Sequence, residues 1–474
     1  MKRSFWWEFG PWLVLVFLSA LPACAGGESG ADSAGEETVL DADGSGGEAR
    51  SIPDSEADAR GADAPGVDVR GMDVWGEDTT VIDVPGDAAA EVTEDLPPHP
   101  PRVFPEGGWL EPEPWAEPIA DYIEWAITDK GLALDAFDHG VKDLAVFDGR
   151  MCIGYGDWTN NLGPVQVRCF NPDGSLDIGP TIDEESIDYY RVYEDRAFIP
   201  GVDPRQPEGT DPLTGNVTYK EVGGEWTAVH QMIHCLHVLD VIRFGDAVFA
   251  CGSGNTDMDA YNKGDDMGVI WRSDDQGKNW SIETEWHDNI IAAVVRFERF
   301  VQTGDNFYVL GEYIDYTFNT LDNVPRRYDG GTWTPVEVLP AIWVQHTHQF
   351  TPEVGIVIGA DISASGKKYV THTLQAGEKT APLTFFADRD EQVLDYVALG
   401  PGEGLFLSRQ GASLAAAPAA PYTYHVYHTL DLAAYGEVLT FTTDELVLSL
   451  AWFGSALYLG TGSGIVLRAT SDPE

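Results

Sequence analysis

Asp143-Leu144-Ala145-Val146-Phe147-Asp148-Gly149 is an alternating apolar run that ends on a turn pair. It comes back as Asp188-Tyr189-Tyr190-Arg191-Val192-Tyr193-Glu194-Asp195 and as His237-Val238-Leu239-Asp240-Val241-Ile242-Arg243-Phe244-Gly245-Asp246. Further copies begin near Ala293, Trp343, Leu394 and Leu448. Each copy reads as an apolar strand, a Gly or Asp turn, a second apolar strand and a Gly-rich stretch. The period is roughly 50 residues, which is the length of a four-stranded β unit. Units of that size arranged radially make a β-propeller, whose strand edges are short and protected. The copies predict an all-β, seven-bladed β-propeller over residues 106–474, with six or eight blades as alternatives. The seventh unit lacks a strand after Arg468, and Tyr122–Ile127 is the candidate to complete it and close the ring.

A second marker keeps phase with the first. Gly224-Glu225-Trp226, Gly277-Lys278-Asn279-Trp280 and Gly331-Thr332-Trp333 each place a Trp after a glycine turn, late in the unit. The middle copy, with Ser273, Asp275, Gly277 and Trp280, resembles the Asp-box (BNR repeat) of sialidases and other propellers, with Asn279 where Thr is common. The resemblance implies a structural hairpin: the Asp caps backbone N–H groups, the Gly takes a permissive φ and the Trp packs between sheets. It also raises a sialidase-like glycoside hydrolase as one functional alternative. Sialidases hold their acidic sugar with clustered arginines. Arg191, Arg196, Arg272 and Arg326 are present, but none sits in a copy of that family's arginine motif.

Upstream of residue 106 the composition changes. Met1-Lys2-Arg3 followed by the apolar run Phe5–Ala20 has the form of a secretory signal. Leu21-Pro22-Ala23-Cys24 resembles the lipobox of bacterial lipoproteins. That resemblance implies a signal peptide over 1–23, lipidation at Cys24, and a chain exported and anchored to the cell envelope, at the outer membrane or cell surface, by its lipid alone. Residues 24–105 are dominated by Gly, Ala, Asp and Glu, with Asp at 63, 68, 73, 78 and 83. Such a segment buries too little apolar surface to offset chain entropy, so it is expected to be a disordered tether extended by its own charge. The same five-residue spacing does not supply the alternating ligands of a calcium loop.

The chain carries 78 acidic and 28 basic residues, a net charge of −50. That balance excludes nucleic acid as a partner, since phosphate binding needs clustered Lys and Arg. It leaves extracellular carbohydrate or protein ligands. Besides Cys24 there are four cysteines, which in an exported chain suggests disulfides. Cys152 and Cys169 flank one predicted turn and Cys235 and Cys251 another, so the pairs Cys152–Cys169 and Cys235–Cys251 are expected.

Chemistry in such a fold would sit where loops entering the inner strands meet those leaving the second strands. The candidate rim residues are Asp157, Asp203, His237, Asp240, His346 and His348. Imidazole with carboxylate would suit a divalent metal (Ca, Zn or Mn), with His237, His346 and His348 as ligands and a metal-assisted hydrolase or lyase as the activity. The same residues also suit plain turn and capping duties. No nucleophile elbow or phosphate loop is present. The sequence favours ligand binding over a recognisable catalytic set.

Overall fold

The computed structural model describes Phe104 and residues 108–202, 213–257, 266–287, 293–315, 320–338, 342–361, 368–375, 380–413 and 419–471. The signal segment, Cys24, the acidic tether and Asp203 lie outside these.

The described residues form seven antiparallel sheets, one for each copy read in the sequence. Their innermost strands are, in chain order, Asp143–Phe147, Arg191–Val192, His237–Phe244, Ala293–Thr303, Ile342–Thr351, Glu391–Gly400 and Val447–Phe453. In the first six blades the strands follow one another outwards in chain order, with one extra short strand, Thr320–Asn323, in blade 4. Second strands are the most apolar: Ala247–Gly254 in blade 3 and Ala456–Thr461 in blade 7 are buried throughout. Strands sandwiched between two neighbouring sheets have no solvent face, so their sequence loses the alternation that marks a half-buried strand.

Blade 7 is completed from the start of the domain. Its outer strand is Glu113–Ala116, which pairs with Val466–Thr470 through Glu113↔Arg468 and Pro114↔Leu467. The expected closing strand, Tyr122–Ile127, is instead part of a helix, Ala120–Thr128. Its apolar residues explain the difference. Ile119, Tyr122, Ile123 and Ala126 recur at spacings of three and four, which is helical, not strand-like. Tyr122 and Ala126 are the buried face. Asp121 on the helix accepts two hydrogen bonds from Arg168 of blade 1, at 2.5 and 2.9 Å, which pins the helix to the propeller.

The core is not a single mass but a series of apolar seams between adjacent sheets. Phe198, Val217, Val238 and Trp271 fill the seam between blades 2 and 3. Phe249, Phe297, Phe300 and Phe307 fill the one between blades 3 and 4. The Trp markers pack at three successive seams: Trp226 between blades 1 and 2, Trp280 between blades 2 and 3, and Trp333 between blades 3 and 4. In the Ser273–Trp280 hairpin, Asp275 Oδ1 accepts from Ser273 Oγ and from the Asn279 N–H, both at 2.8 Å. Ser273 Oγ accepts the Gly277 N–H at 2.8 Å, and Trp280 Nε1 donates to the Gly277 carbonyl at 3.0 Å. Gly277 has φ +90°, and a Cβ there would press on Phe198 of blade 2.

Cys152 and Cys169 are direct cross-strand partners in blade 1 and form a disulfide. Cys235 and Cys251 do not: both are buried thiols. Cys235 packs in the seam towards blade 2, where a Cβ on Gly215 would collide with its Sγ. Cys251 lies in the seam towards blade 4. The two thiols are on opposite faces of the same sheet.

Candidate functional site: the central channel

The inner strands carry a shared irregularity. In blades 3 to 7 the register with the second strand slips between Val238 and Asp240, Phe297 and Arg299, Val344 and His346, Val393 and Asp395, and Val447 and Ser449. Each slip is a β-bulge. It leaves one residue unpaired and re-aims the next. The re-aimed residue stands five positions before the first hairpin turn in blades 3, 4 and 7, and six before it in blades 5 and 6, where a second bulge follows. The corresponding ring reads Asp143, Tyr189, Asp240, Arg299, His346, Asp395 and Ser449, one residue per blade. Asp143, Tyr189, Arg299, His346 and Asp395 line one channel cavity of about 60 Å³. This has room for a few waters or the end of a ligand, not for a whole sugar ring.

Three members of the ring hold the blades together. Asp240 takes the Val241 N–H on Oδ1 at 2.6 Å and the Phe300 N–H of blade 4 on Oδ2 at 2.8 Å. Asp395 repeats the device with the Tyr396 N–H at 2.7 Å and the Leu450 N–H of blade 7 at 2.8 Å. Asp143 accepts the Tyr190 N–H of blade 2 at 2.7 Å. Asp240 also receives Arg191 from both sides, Nε on Oδ1 at 2.7 Å and Nη2 on Oδ2 at 2.6 Å. Its four acceptor positions are therefore filled. Arg191 reaches further, to the Thr347 carbonyl and Oγ1 of blade 5, so one guanidinium ties three blades across the axis.

Arg299 stands where those blades have an acceptor. It donates to carbonyls freed by the bulges: Nε to Gln345 at 2.8 Å, and Nη1 to Leu239 and Glu298, each at 2.7 Å. Its guanidinium lies 4.7 Å from the centre of the Tyr189 ring. Lys142, on the opposite side of the cavity lining, is paired with Asp188 at 2.9 Å and Asp138 at 3.0 Å.

Burial, with the charges of Arg299 and Arg191, pushes the His346 imidazole down to about 3. His348 is also held well below the usual imidazole range by burial and by His346 beside it. Both rings are neutral near pH 7. Asp143 is pushed up to about 6, chiefly by burial. Asp395 is raised well above the ordinary carboxyl range by burial and then by the charge on Asp143. A carboxyl that binds its proton more tightly when folded makes stability fall as pH rises from its unfolded to its folded pKa. Wild-type protein is therefore expected to lose stability between about pH 4 and pH 6 through Asp143. Asp143→Asn keeps an acceptor for the Tyr190 N–H and removes that titration. Urea midpoints measured from pH 4 to 7 should fall less in the variant, and parallel profiles would show that Asp143 does not titrate there.

The residues expected to share a rim separate. His346 and His348 line the channel, and Asp240 lies beside it, bound to Arg191. His237 turns away and bonds to the Val202 carbonyl at 2.5 Å. Burial and the Arg296 charge hold it down to about 4. Asp157 is a loop cap, accepting the Asp138 N–H at 2.8 Å and the Asn160 N–H at 3.1 Å. Among the described residues no three His, Cys, Asp or Glu side chains are grouped to hold a metal ion. The donor set His237, His346 and His348 does not fit one, because His237 belongs to another environment. The four arginines considered for an acidic sugar are likewise dispersed. Arg191 pairs with Asp240, Arg196 with Glu221 and Arg272 with Asp274, while Arg326 lies over Trp286. Lys142, Asp143, Arg191, Arg299 and Asp395 are the site residues that inspection of rim loops overlooked.

No protein-family model matches the chain, and no curated protein sequence matches it. Solved structures are similar to it. Virginiamycin B lyase from Staphylococcus aureus is 11% identical, with a TM-score of 0.41 over 70% of this chain and 95% of the lyase. Polysaccharide lyase Uly1 is 9% identical, with a TM-score of 0.40 over 70% of this chain and 89% of its own. The β-propeller domain of the Trilobed protease from Pyrococcus furiosus is 7% identical, with a TM-score of 0.43 over 71% of this chain and 95% of that domain. At such identities the likeness is one of fold, and no activity is carried over from it. The chain is a seven-bladed β-propeller whose chemistry has to be argued from its own channel.

Proposed function

We propose that this protein is an exported, lipid-anchored propeller that binds an extracellular ligand, carbohydrate or protein, at its central channel. The observation that carries the reading is the ring of Asp143, Tyr189, Arg299, His346 and Asp395 around one cavity. Corresponding positions of a repeat would share one residue type if packing alone chose them. Here acid, phenol, guanidinium and imidazole stand at the same place on successive blades. The lipid anchor rests on Cys24 and its lipobox-like context, and the tether would hold the channel away from the membrane.

The test is a glycan and cell-wall polymer array, run beside a peptide array, with wild type and His346→Ala. The reading expects a ligand that wild type retains and the variant loses. Silence on both arrays, or binding that channel substitutions leave unchanged, would overturn it. Labelling of cells with radioactive palmitate, lost in Cys24→Ala, tests the anchor.

A second reading is a hydrolase or lyase using acid–base chemistry without a metal. It is favoured by the two channel carboxyls, Asp143 and Asp395, whose raised pKa values suit proton transfer near neutral pH. Turnover of an array ligand that stops in Asp395→Asn would establish it.

A further inference from the structure

Arg299 is 7% exposed, yet its hydrogen bonds go only to backbone carbonyls. Among the described residues its Nη2 has neither a hydrogen bond nor an ion pair. Other channel cations are compensated: Arg191 by Asp240 and Lys142 by Asp188. Asp240 has no acceptor position left to offer, as its four contacts show. Carbonyl acceptors and the more distant Asp240 and Glu298 carboxylates hold Arg299 charged in spite of burial, but among the described residues no carboxylate is in contact with it. Arg299 lines the cavity.

We infer that the channel cavity seats the acidic group of the ligand, a carboxylate or a tetrahedral oxyanion, on Arg299 Nη2, with His346 beside it. This rests on the ligand-binding reading and names the chemistry of what is bound. The fixed plane of a guanidinium suits oxyanion recognition better than a mobile ammonium would. Asp143 and Asp395 do not forbid an anion here, because both are held by backbone N–H donors and burial raises the Asp395 carboxyl well above the ordinary carboxyl range. The chain as a whole carries −50 charges and repels anions non-specifically, so saturable anion binding would have to come from a local site.

The experiment is isothermal titration of the full chain with D-glucuronate, sodium sulfate and D-glucose. Glucuronate or sulfate should bind at one site per chain, and glucose at least tenfold more weakly. Glucuronate preferred over sulfate would assign the planar carboxylate, and the reverse a tetrahedral oxyanion. Arg299→Leu should lose at least tenfold for the acidic probe, and Arg150→Leu, on the surface, should bind like wild type. Should Arg299→Leu not fold, the glucuronate-to-glucose ratio of wild type decides. Equal binding of all three probes, or an unchanged Arg299→Leu, overturns the inference. An array ligand that is neutral yet lost in His346→Ala would sink the anion assignment while leaving the channel as the binding site.

Discussion

Asp240→Ala is expected to lower the unfolding free energy by about 3–5 kcal/mol, the range for removing one partner of a buried ion pair. Asp240 is fully buried and answers four donors from blades 2, 3 and 4. Alanine would leave the Arg191 guanidinium without its counter-charge and the Phe300 N–H without an acceptor. Asp240→Asn keeps one acceptor oxygen but no charge, and should fall between. The double change Asp240→Ala with Arg191→Met should recover part of the loss, because no cation is then stranded. Urea denaturation of the four proteins measures this. A single-variant loss below about 1 kcal/mol, the level of an exposed pair, would mean that the channel is wetter than its packing implies.

The second large effect is at Cys152–Cys169. The disulfide closes a loop with a sequence separation of 17. Loop-closure entropy for that length predicts a loss of about 3 kcal/mol in the Cys152→Ser, Cys169→Ser double variant. Blade 1 borders the closing blade, so the loss should also appear as an earlier thermal transition. Peptide mapping under non-reducing conditions should find this cross-link, while Cys235 and Cys251 are alkylated only after denaturation. A Cys235–Cys251 peptide would contradict the placement of those thiols in different seams.

These cases show where sequence reading succeeds. Seven inner strands were legible because each ends an apolar run on a turn; in four of them the first turn residue, Asp148, Gly245, Gly304 or Gly454, takes positive φ. The closing strand was not, because Glu113-Pro114-Trp115-Ala116 is four residues long, includes a proline and pairs with the far end of the chain. Tyr122–Ile127 was misread because six residues fit either period, until Ile119 extends the helical one. The cysteine pair failed because Cys235 is not on the strand: the chain turns at His234, where φ is +60°, and the Cys235 N–H bonds to the Leu213 carbonyl of blade 2 before the inner strand begins at His237.

The site was half legible. Asp240, His346 and His348 were chosen as polar residues near inner strands. Arg299, Asp143 and Asp395 carry no loop mark, because they stand within the inner strands and not in the loops. Counting back five residues from the first turn finds Asp143 and Arg299 but not Asp395, which a second bulge in blade 6 moves to six. What no count reveals is pairing: that Asp240 neutralises Arg191, that His237 turns to the Val202 carbonyl, and that Arg299 is left over.

The most direct measurement is an anomalous difference map from crystals soaked in sodium selenate. A cavity built to seat an acidic group predicts a selenium peak inside the channel, within hydrogen-bond distance of Arg299 Nη2. Peaks confined to arginines and lysines on the outer surface, with none at Arg299, would contradict it.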